Sequence, residues 1–341
     1  MLNRERITDM HLSLGLGGSD IASRLKFMQQ IGVDSALVGP PCDPEVGYYE
    51  FPVLMDLKAQ VEAAGLKVDG TSLIPWRLCY KWMLGLPDRD EQIEKFMQTL
   101  RNMGAAGYPL IIYNMHALRF YRTNRTLPDR GGAGGTAFEM ERVKNSPLFS
   151  SPGIDASLIP KEYHQPISDE QMWANLEYFL KAVVPVAEES GVQLALHPDD
   201  PPVPSISGVA RIMREPEAFQ KAIDLVPSDF NGLKFCVGCF SEMGADVPKW
   251  IRHFGAQKKL FFIDFRNVRG DVNCFNETFP DDGKENMYEC FKAIYESDYE
   301  GGVHPDHAMK MDGDTDSRQY WSYAIGHMRG YFEALQTEFS R

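Results

Sequence analysis

Two histidines in this 341-residue sequence each end an apolar run and are followed by proline and aspartate. His197 closes the run 193–197, and His304 lies in the segment 302–307. Proline has no backbone N–H and fixes its own φ, so a strand ends where proline occurs. Both segments therefore predict polar side chains at the carboxyl ends of strands. We expect these side chains to face the same site.

Four successive strands in the second half of the chain carry potential metal ligands at or just after their carboxyl ends. These residues are His197, Cys236, Asp264 and Asp306. One imidazole, one thiolate and two carboxylates suit manganese, zinc, iron or cobalt better than magnesium or calcium, which prefer oxygen. We expect these four side chains to hold one divalent cation, although His197 or Cys236 taken singly also fits a structural role.

Asp264 is the most informative of the four because it lies in the apolar run 261–265. A buried carboxylate must be paired or must bind a metal to offset its loss of hydration. The alternative to metal binding is a salt bridge to Arg266. Arg266 itself offers a fork-shaped donor suited to a substrate carboxylate. His307, beside Asp306, is the best candidate for a general acid or base.

Cys236 also forms a C-x-x-C pair with Cys239. A single pair of this kind is weak evidence for a zinc site. The sequence does not indicate a helix start there, as a redox dithiol would need. The six cysteines are scattered and do not indicate a disulfide framework.

The elements that must position these residues repeat as a strand, a polar or glycine-marked loop and an amphipathic helix. The predicted strands are 11–16, 35–38, 66–73, 109–113, 192–196, 233–235, 259–265 and 302–303. The predicted helices are 21–31, 53–64, 88–103, 168–190, 216–225, 245–254, 285–297 and 317–335. Ser19-Asp20 and the capping box Ser168-x-x-Gln171 indicate two of the helix starts.

Eight such units in a chain of this length predict an α/β fold, the closed (β/α)8 TIM barrel, as one domain over residues 1–341. An open doubly wound sheet is the alternative, but no G-x-G-x-x-G follows a strand into a helix.

Residues 115–167, after the fourth strand, show no sustained period and form a long insertion. Loops of this size in compact domains are usually functional, so we expect a lid or an oligomer contact. Arg122 lies near its start and is a candidate for substrate binding, the alternative being a solvated basic turn. The segment 270–283 is predicted to be a polar loop. Glu277 and residues 281–283 could close over the mouth of the barrel, but solvated surface is the favoured interpretation.

The composition, with 43% hydrophobic and 24% charged residues, is that of a soluble globular protein. A net charge of −13 argues against nucleic-acid and acidic-membrane partners. No apolar run approaches the roughly 18 residues of a membrane span. Residues 1–6 mix charge signs and lead into no apolar signal core, so we expect a cytoplasmic protein.

Taken together, several segments resemble the mannonate dehydratase family and, more distantly, xylose-isomerase-type barrels. The most specific matches are 194–202, 235–238, 265–268 and 305–307, joined by 83–93, 101–107 and 172–181. The resemblance extends from about residue 65 to residue 330.

This resemblance implies a manganese-dependent lyase that dehydrates the sugar acid D-mannonate to 2-keto-3-deoxy-D-gluconate in hexuronate catabolism. By position, His197, Cys236 and Asp306 match metal ligands of the family, and His307 matches a catalytic histidine. The cofactor expected from the resemblance is Mn²⁺, with Fe²⁺, Co²⁺ or Zn²⁺ as alternatives. A homo-oligomer is also expected, because barrels of this type often associate.

The sequence departs from the family pattern at three places. Asp264 replaces a ligand histidine, and His304, which we expect to contact substrate, replaces an arginine. The chain is several residues shorter in the segment where the catalytic tyrosine of the family is expected, and Asp316 or Trp321 falls near that position. Tyr320 is the nearest replacement, with Tyr323 as the second choice. These changes leave two alternatives to the dehydratase, namely an isomerase or epimerase on a related sugar or sugar acid, and a barrel that binds a sugar acid without converting it.

Overall fold

Eight parallel strands form a closed barrel in the computed structural model, which describes residues 10–18 and 20–339. Residues 1–6, used above to argue against secretion, and Ser19 lie outside the described residues. The barrel strands follow one another around the ring in chain order, as the repeating strand–helix units predict.

The strands are labelled in chain order and include six that lie outside the barrel. They are β1 (His11–Leu16), β2 (Ser35–Val38), β3 (Lys67–Thr71), β4 (Leu110–Asn114), β5 (Asn124–Pro128), β6 (Gly134–Glu139), β7 (Gln193–His197), β8 (Ser205–Ile206), β9 (Val209–Ala210), β10 (Asn231–Cys236), β11 (Leu260–Asp264), β12 (Asn267–Asp271), β13 (Cys274–Thr278) and β14 (Gly302–His304). The barrel consists of β1, β2, β3, β4, β7, β10, β11 and β14.

The helices pack around the outside of the barrel or close its loops. They are α1 (Ile21–Gln30), α2 (Phe51–Ala63), α3 (Tyr80–Leu84), α4 (Arg89–Ala106), α5 (Asp169–Ser190), α6 (Pro216–Leu225), α7 (Val237–Glu242), α8 (Val247–Ala256), α9 (Met287–Glu296) and α10 (Arg318–Phe339). The predicted cap of α5 is confirmed, because Ser168 Oγ accepts a hydrogen bond from the Gln171 N–H at 3.2 Å.

A buried apolar cluster inside the barrel, here called the apolar plug, determines at which strand positions the polar residues begin. Leu37, Leu110, Ile112, Ala195 and Phe262 form one buried cluster contributed by β2, β4, β7 and β11. Side chains two residues apart on a strand share a face. The next inward-facing positions toward the carboxyl ends of three of these strands are therefore 114, 197 and 264, and they are polar. The plug thus forms the floor on which the candidate site rests.

A second, antiparallel sheet was not predicted, and the interpretation of 270–283 as a loop was wrong. The order of this sheet is β12-β13-β6-β5. The insertion 115–167 supplies β5 and β6, which are joined to the segment after β11 through the pairing of β6 with β13. We call this sheet the cap sheet. The proposed role of the insertion as a lid or oligomer contact stays a prediction.

The cap sheet was missed because its strands lack a clear alternation of apolar and polar residues. The small apolar cluster that holds it includes Phe138, Val268 and Phe275. Such a sheet depends on partners distant in the chain, which a local pattern does not reveal.

None of the helices in the described part of the chain is both long enough and apolar enough to cross a membrane.

Candidate metal centre and active site

The four predicted metal ligands lie at one end of the barrel. His197, Cys236 and Asp264 are the last residues of β7, β10 and β11, and Asp306 follows β14. The register pairs Cys236 with Asp264, which brings the two strand ends level. One ligand atom from each of Cys236, Asp264 and Asp306 lies within 4.8 Å of the others, and His197 Nε2 lies 3.4 Å from Asp264 Oδ2. The predicted convergence is therefore present.

The backbone at Asp306 is unusual for a residue with a side chain. Its φ is 61°, in the left-handed region, which aspartate tolerates better than most residues. Backbone strain of this kind is often held at functional sites. Here it accompanies a carboxylate with an oxygen within 4.8 Å of ligand atoms of Cys236 and Asp264.

The chemistry of these donors fits a divalent cation. Burial raises the pKa of the Cys236 thiol, but hydrogen bonding with Cys239, the Arg266 charge and His197 outweigh it and lower the pKa to about 5. Cys236 is thus a thiolate near neutral pH, the form that binds metals. Burial would also raise the pKa of Asp264, but the Lys234 charge and hydrogen bonds from two histidines hold it well below its usual range.

The pairing of Asp264 differs from the alternative suggested by the sequence. The carboxylate does not pair with Arg266. Its Oδ2 lies 2.6 Å from Lys234 Nζ, and its Oδ1 lies 3.3 Å from His304 Nδ1. The salt bridge to Arg266, given above as the alternative to metal binding, is therefore not formed. Lys234 was not identified from the sequence. A single charged residue in the buried segment 231–236, two residues before Cys236, could have indicated that it belongs to the site.

Arg266 is the central cation of the site and is only 2% exposed. Its Nη1 lies 2.8 Å from Glu242, its Nε lies 3.0 Å from Asp306 Oδ2, and its Nη2 lies 3.3 Å from Asp200. Gly238 makes room for it, because an added Cβ would lie 2.4 Å from Nη1. The guanidinium therefore already contacts protein carboxylates, and its predicted contact with substrate stays a prediction.

Arg122 from the insertion forms a second buried ion-pair group. It donates to both oxygens of Asp200, at 2.5 and 2.7 Å, and to Glu277 at 2.7 Å. The alternative of a solvated basic turn is wrong, since Arg122 is 4% exposed. Glu277 is also buried, at 4%, so its predicted place on the solvated surface was wrong as well. The substrate contact proposed for Arg122 stays a prediction.

His307 projects into the same region with one face open. Its side chain is 37% exposed, Nδ1 lies 2.6 Å from Glu277 Oε1, and Nε2 lies 3.6 Å from Asp306 Oδ1. Burial lowers the pKa of His307, but the charges of Asp306 and Glu277 outweigh it and raise the pKa to about 9. The resting imidazole is therefore protonated and hydrogen-bonded at Nδ1, which suits proton transfer.

The remaining predicted residues lie close by. His304 is 9% exposed, and its Nδ1 lies 3.1 Å from the backbone nitrogen of Asp306. Tyr320 is 1% exposed and packs against Phe279. Burial, with added effects of nearby carboxylates, raises the pKa of Tyr320, so the phenol stays protonated.

A helix begins directly after the first cysteine of the C-x-x-C pair. Cys236 is the N-cap of α7, and its sulfur accepts a hydrogen bond from the Cys239 N–H at 3.4 Å. The expectation that no helix begins there was wrong, because α7 is short and its sequence carries no polar capping signal. Cys239 lies with His197 and Cys236 in a group of close ligand atoms.

Comparisons with known proteins agree on one family. The model of the D-mannonate dehydratase (UxuA) family matches residues 10–341. A mannonate dehydratase of Streptococcus pneumoniae is 35% identical over 301 residues, with 82% of this chain and 81% of the relative covered. One from Streptococcus agalactiae is 34% identical over 346 residues, covering 96% and 99%. The crystal structure of mannonate dehydratase from Streptococcus suis has a TM-score of 0.84 and 29% identity, covering 97% and 95%.

The Arg122 ion pairs can be tested by substitution. We expect Arg122→Met to lower the free energy of unfolding by about 3–5 kcal/mol, because Asp200 and Glu277 would stay buried without their cation. Urea denaturation measures the change. Arg125→Met, at an exposed position, is the control and should have little effect. Unchanged stability with weakened substrate binding would instead support Arg122 as a substrate contact.

Proposed function

The chain belongs to the D-mannonate dehydratase family, and from this premise we propose that it is a metal-dependent hydro-lyase that converts D-mannonate to 2-keto-3-deoxy-D-gluconate. The observation that carries the proposal is the meeting of Cys236, Asp264 and Asp306 within 4.8 Å, beside His197 and His307. A sugar acid is the substrate class that the family implies.

We assign the metal to His197, Cys236, Asp264 and Asp306. Their mixed nitrogen, sulfur and oxygen donors and their burial support a transition metal, and we propose Mn²⁺. When bound, the cation would hold substrate oxygens and acidify the C2 proton. Fe²⁺, Co²⁺ and Zn²⁺ are the alternatives that a metal analysis must separate.

We assign proton transfer to His307. The hydrogen bond between Nδ1 and Glu277 fixes the ring and leaves Nε2 to exchange a proton with substrate. Dehydration removes the C2 proton and the C3 hydroxyl. The protonated His307 gives its Nε2 proton to the departing C3 hydroxyl, which leaves as water, and the neutral ring then takes the C2 proton at Nε2. The resulting enol becomes the 2-keto acid, so the proton count at His307 balances.

Tyr320 has the second proposed catalytic role. Because its phenol stays protonated, it suits hydrogen-bond donation to a substrate oxygen better than proton removal. Tyr323, the second choice, is 37% exposed, and partial burial together with a hydrogen bond to Asp281 raises its pKa. Arg266, His304 and Arg122 are proposed to lie beside the bound sugar acid. Cytoplasmic location and homo-oligomer formation stay predictions.

Metal content tests the ligand assignment. We expect purified protein to hold a stoichiometric divalent metal and His197→Ala to lose it with little unfolding, because an imidazole donor is removed. Elemental analysis and thermal unfolding measure the two quantities. His253→Ala, at an exposed position, is the control and should keep the metal. Intact metal in the His197 variant would contradict the assignment.

Substitution of His307 tests the proton-transfer step. His307→Asn should lower turnover of D-mannonate by about 10²–10⁴-fold, the usual contribution of a general acid–base group, and leave the metal content unchanged. The thiobarbituric assay for 2-keto-3-deoxy acids measures turnover. The control is His327→Asn, since His327 bonds to Tyr331 rather than to the site. A metal-loaded protein that yields no 2-keto-3-deoxy acid from any hexonate would instead favour an isomerase or epimerase.

The two tyrosines can be separated in the same assay. We expect Tyr320→Phe to lower turnover about tenfold or more, because one hydrogen-bond donor to substrate is lost. Tyr323→Phe is the matched control and should retain nearly full turnover. A larger loss of turnover in Tyr323→Phe than in Tyr320→Phe would instead assign the catalytic role to Tyr323.

A further inference from the structure

A lysine lies inside the barrel beneath the candidate metal centre. Lys234 is in β10, in which every residue is buried, and its own exposure is 5%. It is two residues from Cys236 and therefore shares its face of the strand. Its register partner in β11 is Phe262, which belongs to the apolar plug. The ammonium group thus lies in an apolar interior with little water.

The partner of this ammonium is one of the proposed metal ligands. Lys234 Nζ lies 2.6 Å from Asp264 Oδ2, the same oxygen that lies 3.4 Å from His197 Nε2. An unpaired charge in this position would be very costly, so the lysine and the aspartate depend on each other.

A metal ion bound at this site would share the Asp264 carboxylate with the Lys234 ammonium. The ligand atoms of Cys236, Asp264 and Asp306 lie within 4.8 Å of one another, so an ion among them would be close to the Lys234 ammonium. Two cations near one carboxylate repel each other, and the repulsion is strong where water is excluded. The lysine must therefore oppose metal binding while it holds a metal ligand in position.

We propose that Lys234 is a built-in counter-cation of the metal centre, which holds Asp264 in the metal-free protein and weakens the affinity of the site for divalent cations. The inference rests on the proposed function, because it takes Asp264 as a ligand. It makes Lys234 a positioning residue that sets metal affinity without contacting substrate. A lysine with a purely structural role would affect stability alone.

The test is Lys234→Met, which keeps much of the length of the side chain and removes its charge. The metal-free variant should unfold at a lower temperature than the wild type, because Asp264 loses its cation. Its affinity for Mn²⁺, titrated into metal-free protein by calorimetry, should rise about tenfold or more because the opposing charge is gone. An unchanged or weaker affinity would overturn the inference.

A second variant keeps the test decisive if Lys234→Met does not fold. Lys234→Met combined with Asp264→Asn removes both charges of the ion pair, so neither of these two residues is left buried without its partner. We expect this double variant to fold, with a Mn²⁺ affinity within about tenfold of the wild type, because one repulsive and one attractive charge are lost together. Failure of the double variant to fold would overturn the inference, since the ion pair would not then explain the lysine.

A matched lysine serves as the control. Lys58 Nζ donates to the backbone carbonyl of Ala106 at 2.9 Å, far along the chain from the site. Lys58→Met should leave Mn²⁺ affinity unchanged. Wild-type protein that binds no divalent cation would defeat the proposed function itself. Equal Mn²⁺ affinity in wild type and Lys234→Met would defeat only the role of Lys234.

Discussion

Burial of opposite charges at the carboxyl end of the barrel is the constraint on which the rest of this structure depends. Asp200 is 2% exposed, Asp264 is fully buried, and each has a buried cation as its partner. Removal of one member of such a pair is far more costly than its formation is favourable. The site is therefore held in one arrangement by mutual dependence of its charges, more than by net stabilisation from any single ion pair.

These charges form two groups that meet at Asp306. In one group, Lys234 holds Asp264 beside the Cys236 thiolate, which fits the metal side of the site. In the other, Glu277 holds His307, which fits the proton-transfer side. Asp306 belongs to both, because it lies among the ligand atoms and also 3.6 Å from His307 Nε2. One carboxylate thus joins the residues proposed to bind the metal with the residue proposed to transfer the proton.

The cap sheet connects this chemistry to the insertion after β4. Glu277 comes from β13, and Arg122 comes from the insertion just before β5. Their contact at 2.7 Å joins two segments that are 155 residues apart in the chain. Any movement of the cap sheet would therefore change the position of the carboxylate that orients His307. Through the contact between Arg122 and Glu277, the insertion is part of the site.

The sequence alone determined the barrel and the ends of its strands. Apolar runs closed by proline or glycine are local signals, so the strands and the residues at their carboxyl ends, including His197, Cys236 and Asp264, were predictable. Parallel strands in a barrel direct their carboxyl ends to one face, which made the meeting of these residues predictable as well.

Only the tertiary structure decided which charge pairs with which. Asp264 pairs with Lys234 rather than with Arg266, and Glu277 is buried rather than solvated. The partner of Asp264 and the burial of Glu277 depend on distances of a few ångströms between segments far apart in the chain. The types and spacing of residues in the sequence do not determine such distances. The cap sheet was decided in the same way, because its strands are stabilised by partners that the local pattern does not identify.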